Sequence, residues 1–481
     1  MIYLFQLGVG EQMQENIKRN KSNVFIQPIL KDVMANKMAG FCFCLLVFFI
    51  IITPRIFQIP KIILLVLIII SLLLAKGGFN FKRANVFNAI WLNLLFCVIG
   101  TLVAIININK DIFSYAKVNF LWYLLLIVLF FQFEKEILHR IIRTIIWASV
   151  YIFAYSILLI FHVAGIINLP FLLLLDATAN VGFHSGYIHI VSTNLSMLMF
   201  TMPIIFSLII YAPDRFLSKI KFKRKSLIII LLLNFLTMFL SGRRIMWLNI
   251  LFSAILFGLL KFSSGHRIDR RRRITLLGSV FIIILAIFIL LLNTGILERF
   301  FEIFSNSDNI RFVQIQKLWK GFLQNPFLGT GFGHEINTIP GYEGTTIVEV
   351  TYNLMLYNTG IIGTMLYVIY ILKIIQLILK EIKKNNYYKP LLIGVLVGFM
   401  LIIFNTATNP YMTSSFDFHI FQIFPLWIIY LSQKTKNSYT QHIKIKGMEK
   451  IYERDCIGGR GGDKVVPADN GDKQTTTAGL R

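Results

Sequence analysis

The chain has 481 residues, 56% of them hydrophobic, and a mean hydropathy of +0.70, more apolar than a soluble domain built around one buried core. This excludes an ordinary soluble globular enzyme and indicates a polytopic membrane protein. The excess of 48 basic over 23 acidic residues gives a net charge of +25, and in a membrane protein the side of the bilayer on which the charges sit matters more than their sign.

The first 40 residues are polar and basic, with no apolar core ahead of a small-residue cleavage site, so the first membrane span is expected to act as the insertion signal. Apolar runs able to cross a bilayer fall near 38–54, 60–75, 86–106, 118–133, 141–167, 190–212, 226–241, 244–262, 274–293, 351–376, 388–406 and 418–432, which predicts an all-α protein of about twelve spans. The split between the seventh and eighth rests on "SGRR" at 241–244, because two arginines at mid-bilayer are costly and a surface turn is not. Cys42, Cys44 and Cys97 lie inside apolar runs and Cys456 in a polar tail, so no pair suggests a disulfide or a metal site.

Basic residues cluster in the N-terminal 40 residues and in "DRFLSKIKFKRKS", "KFSSGHRIDRRRR" and "LKEIKKNNYYK", which the positive-inside rule assigns to the cytoplasm. Counting spans between these clusters gives one consistent parity, with both termini inside. The chain then divides into a cytoplasmic segment 1–37, nine spans over 38–293, an extracytoplasmic loop 294–350, three spans over 351–432 and a cytoplasmic tail 433–481 without apolar periodicity, read as disordered. The long loop is rich in Phe and carries Trp319, which argues for short helices on the outer membrane surface.

Candidate functional groups are charged side chains near outer span ends. Arg243 and Arg244 offer planar donor forks that suit phosphate oxygens, the alternative being positive-charge anchoring. Arg311 lies near the start of an amphipathic helix in "SDNIRFVQIQKLWKGF", where a cation gains nothing from the helix dipole, whereas Lys317 and Lys320 suit lipid headgroups. "NPFLGTGFGHEI" spaces Gly329, Gly331 and Gly333 as G-x-G-x-G, without the G-x-G-x-x-G pattern or βαβ context of a nucleotide loop. These glycines permit positive φ and close backbone approach, as in a structural turn, and His334 beside them is a base, a ligand or a turn residue. Glu349 at the outer end of the tenth span is a candidate general base or a helix-stabilising first-turn acid, with Tyr352 on the same face. Gly360 and Gly363 suit close helix packing, and His184 with His189 lacks an adjacent third metal ligand.

A long outer loop with an arginine, a tryptophan a few residues on, N-P-x-x-G-x-G-x-G, and then a span with G-x-x-G resembles the O-antigen polymerase and O-antigen ligase superfamily of bacterial membrane glycosyltransferases. "SGRR" and "NTATNPYMTSSFDFHI" fit the same resemblance, which covers roughly residues 180–430. It implies a GT-C type helical fold in the plasma membrane, acting at its outer face on undecaprenyl-diphosphate-linked glycans without metal or other cofactor. Arg243, Arg244 and Arg311 would hold the diphosphate. Glu349 or His334 would serve as base, and Gly329, Gly331, Gly333 and Tyr352 would line the cleft. Donor and acceptor glycans, membrane lipids and a chain-length regulator are the implied partners, with no nucleic acid. The ligase pattern has a His-Asn pair near the start of the span after the loop, where this chain has Glu349 and Tyr352, so a polymerase is expected over a ligase. A lipid-linked oligosaccharide flippase is the alternative from another class, but its charges belong along a mid-membrane path.

Overall fold

A computed structural model describes residues 23–54, 56–74, 86–121, 123–127, 136–176, 179–184, 187–263, 311–336, 348–384, 387–407, 409 and 419–433. The predicted ninth span, the first part of the long loop, most of the last outer loop and the C-terminal tail lie outside the described residues.

The helices are α1 (Asn23–Ile52), α2 (Gln58–Leu74), α3 (Val86–Ile106), α4 (Ile112–Leu121), α5 (Tyr123–Ile127), α6 (Ile137–Val163) and α7 (Phe171–Leu175). A hairpin follows, β1 (Asn180–His184) and β2 (Tyr187–Val191), and then α8 (Leu195–Tyr211), α9 (Asp214–Lys219), α10 (Arg224–Leu240) and α11 (Arg244–Ser263). The remainder comprises α12 (311–324), α13 (Thr351–Lys384), α14 (Lys389–Thr406) and α15 (Ile420–Gln433). Among the described residues, 5 helices are long and apolar enough to cross a bilayer, and α2, α8, most of α11 and α15 are shorter apolar helices. The chain is a helical, multi-pass membrane protein.

One region departs from the predicted spans, and another is described only in part. The run at 118–133 is described over 118–121 and 123–127, in α4 and α5, and α4 buries the polar side chain of Asn119. The run at 190–212 begins as β2, whose alternating Ile188 and Ile190 suit a strand, paired antiparallel to β1 with Asn180 opposite Val191. The buried Asp176 carboxylate then stops the strand and starts α8. Its Oδ2 accepts hydrogen bonds from Ser192 Oγ at 2.9 Å, Thr193 N at 2.7 Å and Thr193 Oγ1 at 2.8 Å.

The core is made by α8 lying on α14, α1 on α2 and α6, and α3 on α13. Small residues set the closest of these approaches: a Cβ at Gly394 of α14 would stand 2.6 Å from the Ile204 Cα of α8. The seam between α3 and α13 positions the site, because α13 is broken there. Gly360 adopts φ 61 and ψ −166 inside it, releasing backbone groups that an unbroken helix would pair. The loop after α12 takes up each end of the break. Ile361 N donates to Pro326 O at 2.8 Å and Ile362 N to Phe327 O at 3.2 Å, while Tyr357 O accepts from Thr330 N at 3.0 Å and Asn358 O from Gly331 N at 2.8 Å. In hydrocarbon an unsatisfied backbone group is expensive, so kink and loop require each other.

Candidate functional site

The segment 311–336 descends from α12 into the α3–α13 seam. Asn325 N closes the last turn on Phe322 O at 3.1 Å, and Pro326 cannot extend the helix, so the chain turns at the predicted motif. All three motif glycines have positive φ, as the spacing suggested, and backbone occupies the space a side chain would take. A Cβ at Gly331 would stand 2.3 Å from Ala104 N, while Gly329 abuts Asn358 and Gly333 abuts Asp111. The glycines are therefore packing points, and any part they have in a cleft comes from the segments they bring together.

Two asparagines after α3 clamp this loop. Asn107 Nδ2 donates to Thr330 O at 2.9 Å, and Asn109 Nδ2 donates to both Thr330 O and Phe332 O at 3.0 Å. Phe332 inserts against Gly100 and stacks on Tyr115 with ring centroids 6.0 Å apart. Because the Asn109 amide nitrogen is committed to two carbonyls, its oxygen is the atom 3.1 Å from His334 Nδ1, so that ring nitrogen carries the proton and donates. The His334 ring also lies 5.8 Å from the Tyr357 ring. Next to it, Lys110 Nζ meets Glu335 Oε1 at 2.8 Å, and the bond to that carboxylate raises the lysine's pKa. No sequence pattern marks Asn107 or Asn109, since their partners lie more than 200 residues away.

Arg311 and Glu349 come together at the start of α12 and α13. Arg311 Nε donates to Glu349 Oε2 at 2.9 Å, with side chains 35% and 41% exposed. From there α12 and α13 run side by side, with Leu318 packed among Val348, Val350, Leu354 and Tyr357, and Gly321 against the Tyr357 ring. The six helical steps from Thr351 to Tyr357, which lies beside His334, rise about 9 Å, so Glu349 and His334 occupy different levels of one seam. Tyr352, expected in the cleft, has its hydroxyl committed to α14, donating to Ile403 O at 2.6 Å.

Arg243 and Arg244 occupy the predicted turn. α10 ends at Leu240, Gly242 takes φ 63, and α11 begins at Arg244. The Arg243 side chain is half-buried and makes no described ion pair, and the side chain of Arg244 lies outside the described residues. One turn into α11, Asn249 Oδ1 accepts from Asn405 Nδ2 of α14 at 2.8 Å, which ties the turn to the same pole as Tyr352 and Ile403. In the hairpin, His189 pairs in register with Gly182 and His184 with Tyr187, and the side chain of His184 lies outside the described residues. Among the described residues no group of three His, Cys, Asp or Glu side chains could hold a metal ion.

The candidate site is a cation–carboxylate pair at one end of a kinked membrane helix, beside a loop locked into the bundle. Residues 228–368, which span α10, α11, α12, the loop and the kink, match the family described as O-antigen ligase. Over those residues the chain is similar to the O-antigen ligase family, in keeping with the resemblance that the motifs carry. No curated protein sequence matches the chain.

Proposed function

We propose that the chain is a polysaccharide polymerase for an O-antigen or capsule, a GT-C type enzyme with about twelve spans in the bacterial plasma membrane. It transfers a growing glycan from undecaprenyl diphosphate to a hydroxyl of another lipid-linked repeat unit at the outer face. The observation that carries this reading is the Arg311–Glu349 pair, which sets a phosphate-binding cation and a proton acceptor side by side at a partly exposed position.

In the transfer, the acceptor hydroxyl oxygen bonds to the anomeric carbon as that carbon's bond to the diphosphate breaks. Undecaprenyl diphosphate leaves with the electron pair, and the hydroxyl proton passes to Glu349. Arg311, joined by Arg243 and Arg244, holds the charge that grows on the diphosphate, so the reading calls for neither metal nor other cofactor. Separating Arg311 from Glu349 is then a step of substrate binding, which frees the guanidinium for phosphate and the carboxylate for the proton. His334 neighbours the seam at a different level, and the glycines shape it by fixing the loop.

A ligase reading draws on the description of the matched family. The two are separated in a deletion strain complemented at equal protein level with the native chain, Arg311→Ala or Glu349→Ala. A polymerase defect leaves single repeat units capping the acceptor without long chains, whereas a ligase defect accumulates long polymer on its lipid carrier. Normal chain length in both variants removes the pair from the reaction, and normal chain length in the deletion strain itself ends the polymerase reading.

A further inference from the structure

Gln314 is one turn beyond Arg311 on α12 and is 0% exposed, yet neither its amide oxygen nor its amide nitrogen has a hydrogen-bond partner among the described residues. Buried amides are almost always paired, and one left with neither end satisfied destabilises the fold relative to an apolar side chain of the same shape. The neighbouring loop shows the contrast, since the Thr330 and Phe332 carbonyls and the Asn109 amide are all paired. Arg311, Gln314 and Leu318 follow one another at helical spacing along one face, and Leu318 packs against Val348 and Val350, the residues on either side of Glu349. Gln314 thus sits on the face of α12 that meets the proposed reacting groups, at a position where packing alone favours leucine or methionine.

We propose that Gln314 is a substrate-binding residue whose amide pairs with a sugar hydroxyl of the lipid-linked glycan, an inference that rests on the transferase reading above. A hydroxyl both donates and accepts, so it satisfies the amide oxygen and nitrogen together. A diphosphate at neutral pH only accepts, and would leave the amide oxygen facing an anion. The first turn of α12 parts from residues 348–350 to admit the sugar, the same movement that separates Arg311 from Glu349.

The test uses the full chain in lipid nanodiscs as native protein, Gln314→Met and Arg311→Ala. The probes are undecaprenyl diphosphate alone and the undecaprenyl-diphosphate-linked repeat unit extracted from a deletion strain. Gln314→Met is expected to keep or raise Tm, to keep the thermal protection given by undecaprenyl diphosphate, and to raise KM for the repeat unit at least tenfold. A native KM overturns the inference, and so does a lowered Tm, because a group without partners adds no stability. Loss of protection by undecaprenyl diphosphate assigns the amide to phosphate and overturns the hydroxyl pairing. The native protein and Arg311→Ala separate the two claims: no turnover of the repeat unit by the native protein defeats the transferase reading itself, and native turnover in Arg311→Ala removes that arginine from the site, whatever Gln314→Met does.

Discussion

Arg311 and Glu349 are 38 residues apart in sequence and 2.9 Å apart in space, and each is the other's ion-pair partner before any substrate arrives. An ion pair this exposed contributes little to stability, on the order of 0–1 kcal/mol. A contact of that size is easily opened, as the proposed transfer requires.

A charge swap distinguishes these roles. Arg311→Glu combined with Glu349→Arg rebuilds an ion pair of opposite sense, so a purely structural contact regains native behaviour. A transferase that needs a cation at one position and a base at the other stays inactive, and Glu349→Gln alone is expected to slow transfer by about 10²–10⁴-fold. Transfer rates measured with lipid-linked repeat unit in nanodiscs decide it, with Tm recorded to confirm folding.

Arg243 has no described ion partner, so Arg243→Ala is expected to leave Tm unchanged while weakening retention of undecaprenyl diphosphate. Arg243→Lys is expected to restore little of that binding, because a point charge does not reproduce the guanidinium fork. Thermal protection by undecaprenyl diphosphate across the three proteins measures this, and a drop in Tm for Arg243→Ala points to membrane anchoring.

Gly331→Ala places a side chain on a residue with φ 86 and a Cβ 2.3 Å from Ala104 N. The left-handed backbone alone costs about 1–3 kcal/mol, before any steric displacement of α3. Gly182→Ala in β1, where nothing lies within 4 Å, is the matched control and is expected to be neutral. Denaturation midpoints in detergent compare the two.

Asn109→Ala removes two donors to the loop and the acceptor for His334, while Asn107→Ala removes one donor. At about 1 kcal/mol for each bond, the first is expected to cost roughly twice to three times the second. Hydrogen exchange across residues 326–336 reads the loosening directly, and equal exchange in both variants contradicts the clamp.

Tyr352→Phe deletes a single hydroxyl bonded to Ile403 O, so a loss of about 1 kcal/mol in stability with transfer retained is expected. A large loss of transfer at unchanged Tm returns Tyr352 to the substrate cleft.

The helical membrane class was legible from composition and periodicity, because hydrocarbon admits few backbone solutions and each leaves a run of apolar residues. The "SGRR" turn and the positive φ of the three motif glycines could be read from local chemistry: arginine resists mid-bilayer, and G-x-G-x-G has no other local use here. Pairing across the fold was not legible. Arg311 and Glu349 were each visible as odd charges near an outer span end, but nothing local says that one holds the other. Gly360 read as a packing residue, and only the three-dimensional arrangement turns it into a break whose released Asn358 carbonyl is met by Gly331 N at 2.8 Å. Gln314 looks like one more polar position on an amphipathic helix, and its burial without a partner among the described residues exists only in the folded chain. By itself the sequence determined a helical membrane protein with its polar chemistry near span ends, since solvation of each residue is a local property. Which of those groups meet was decided by the tertiary structure, because a 2.9 Å contact depends on how every intervening segment packs.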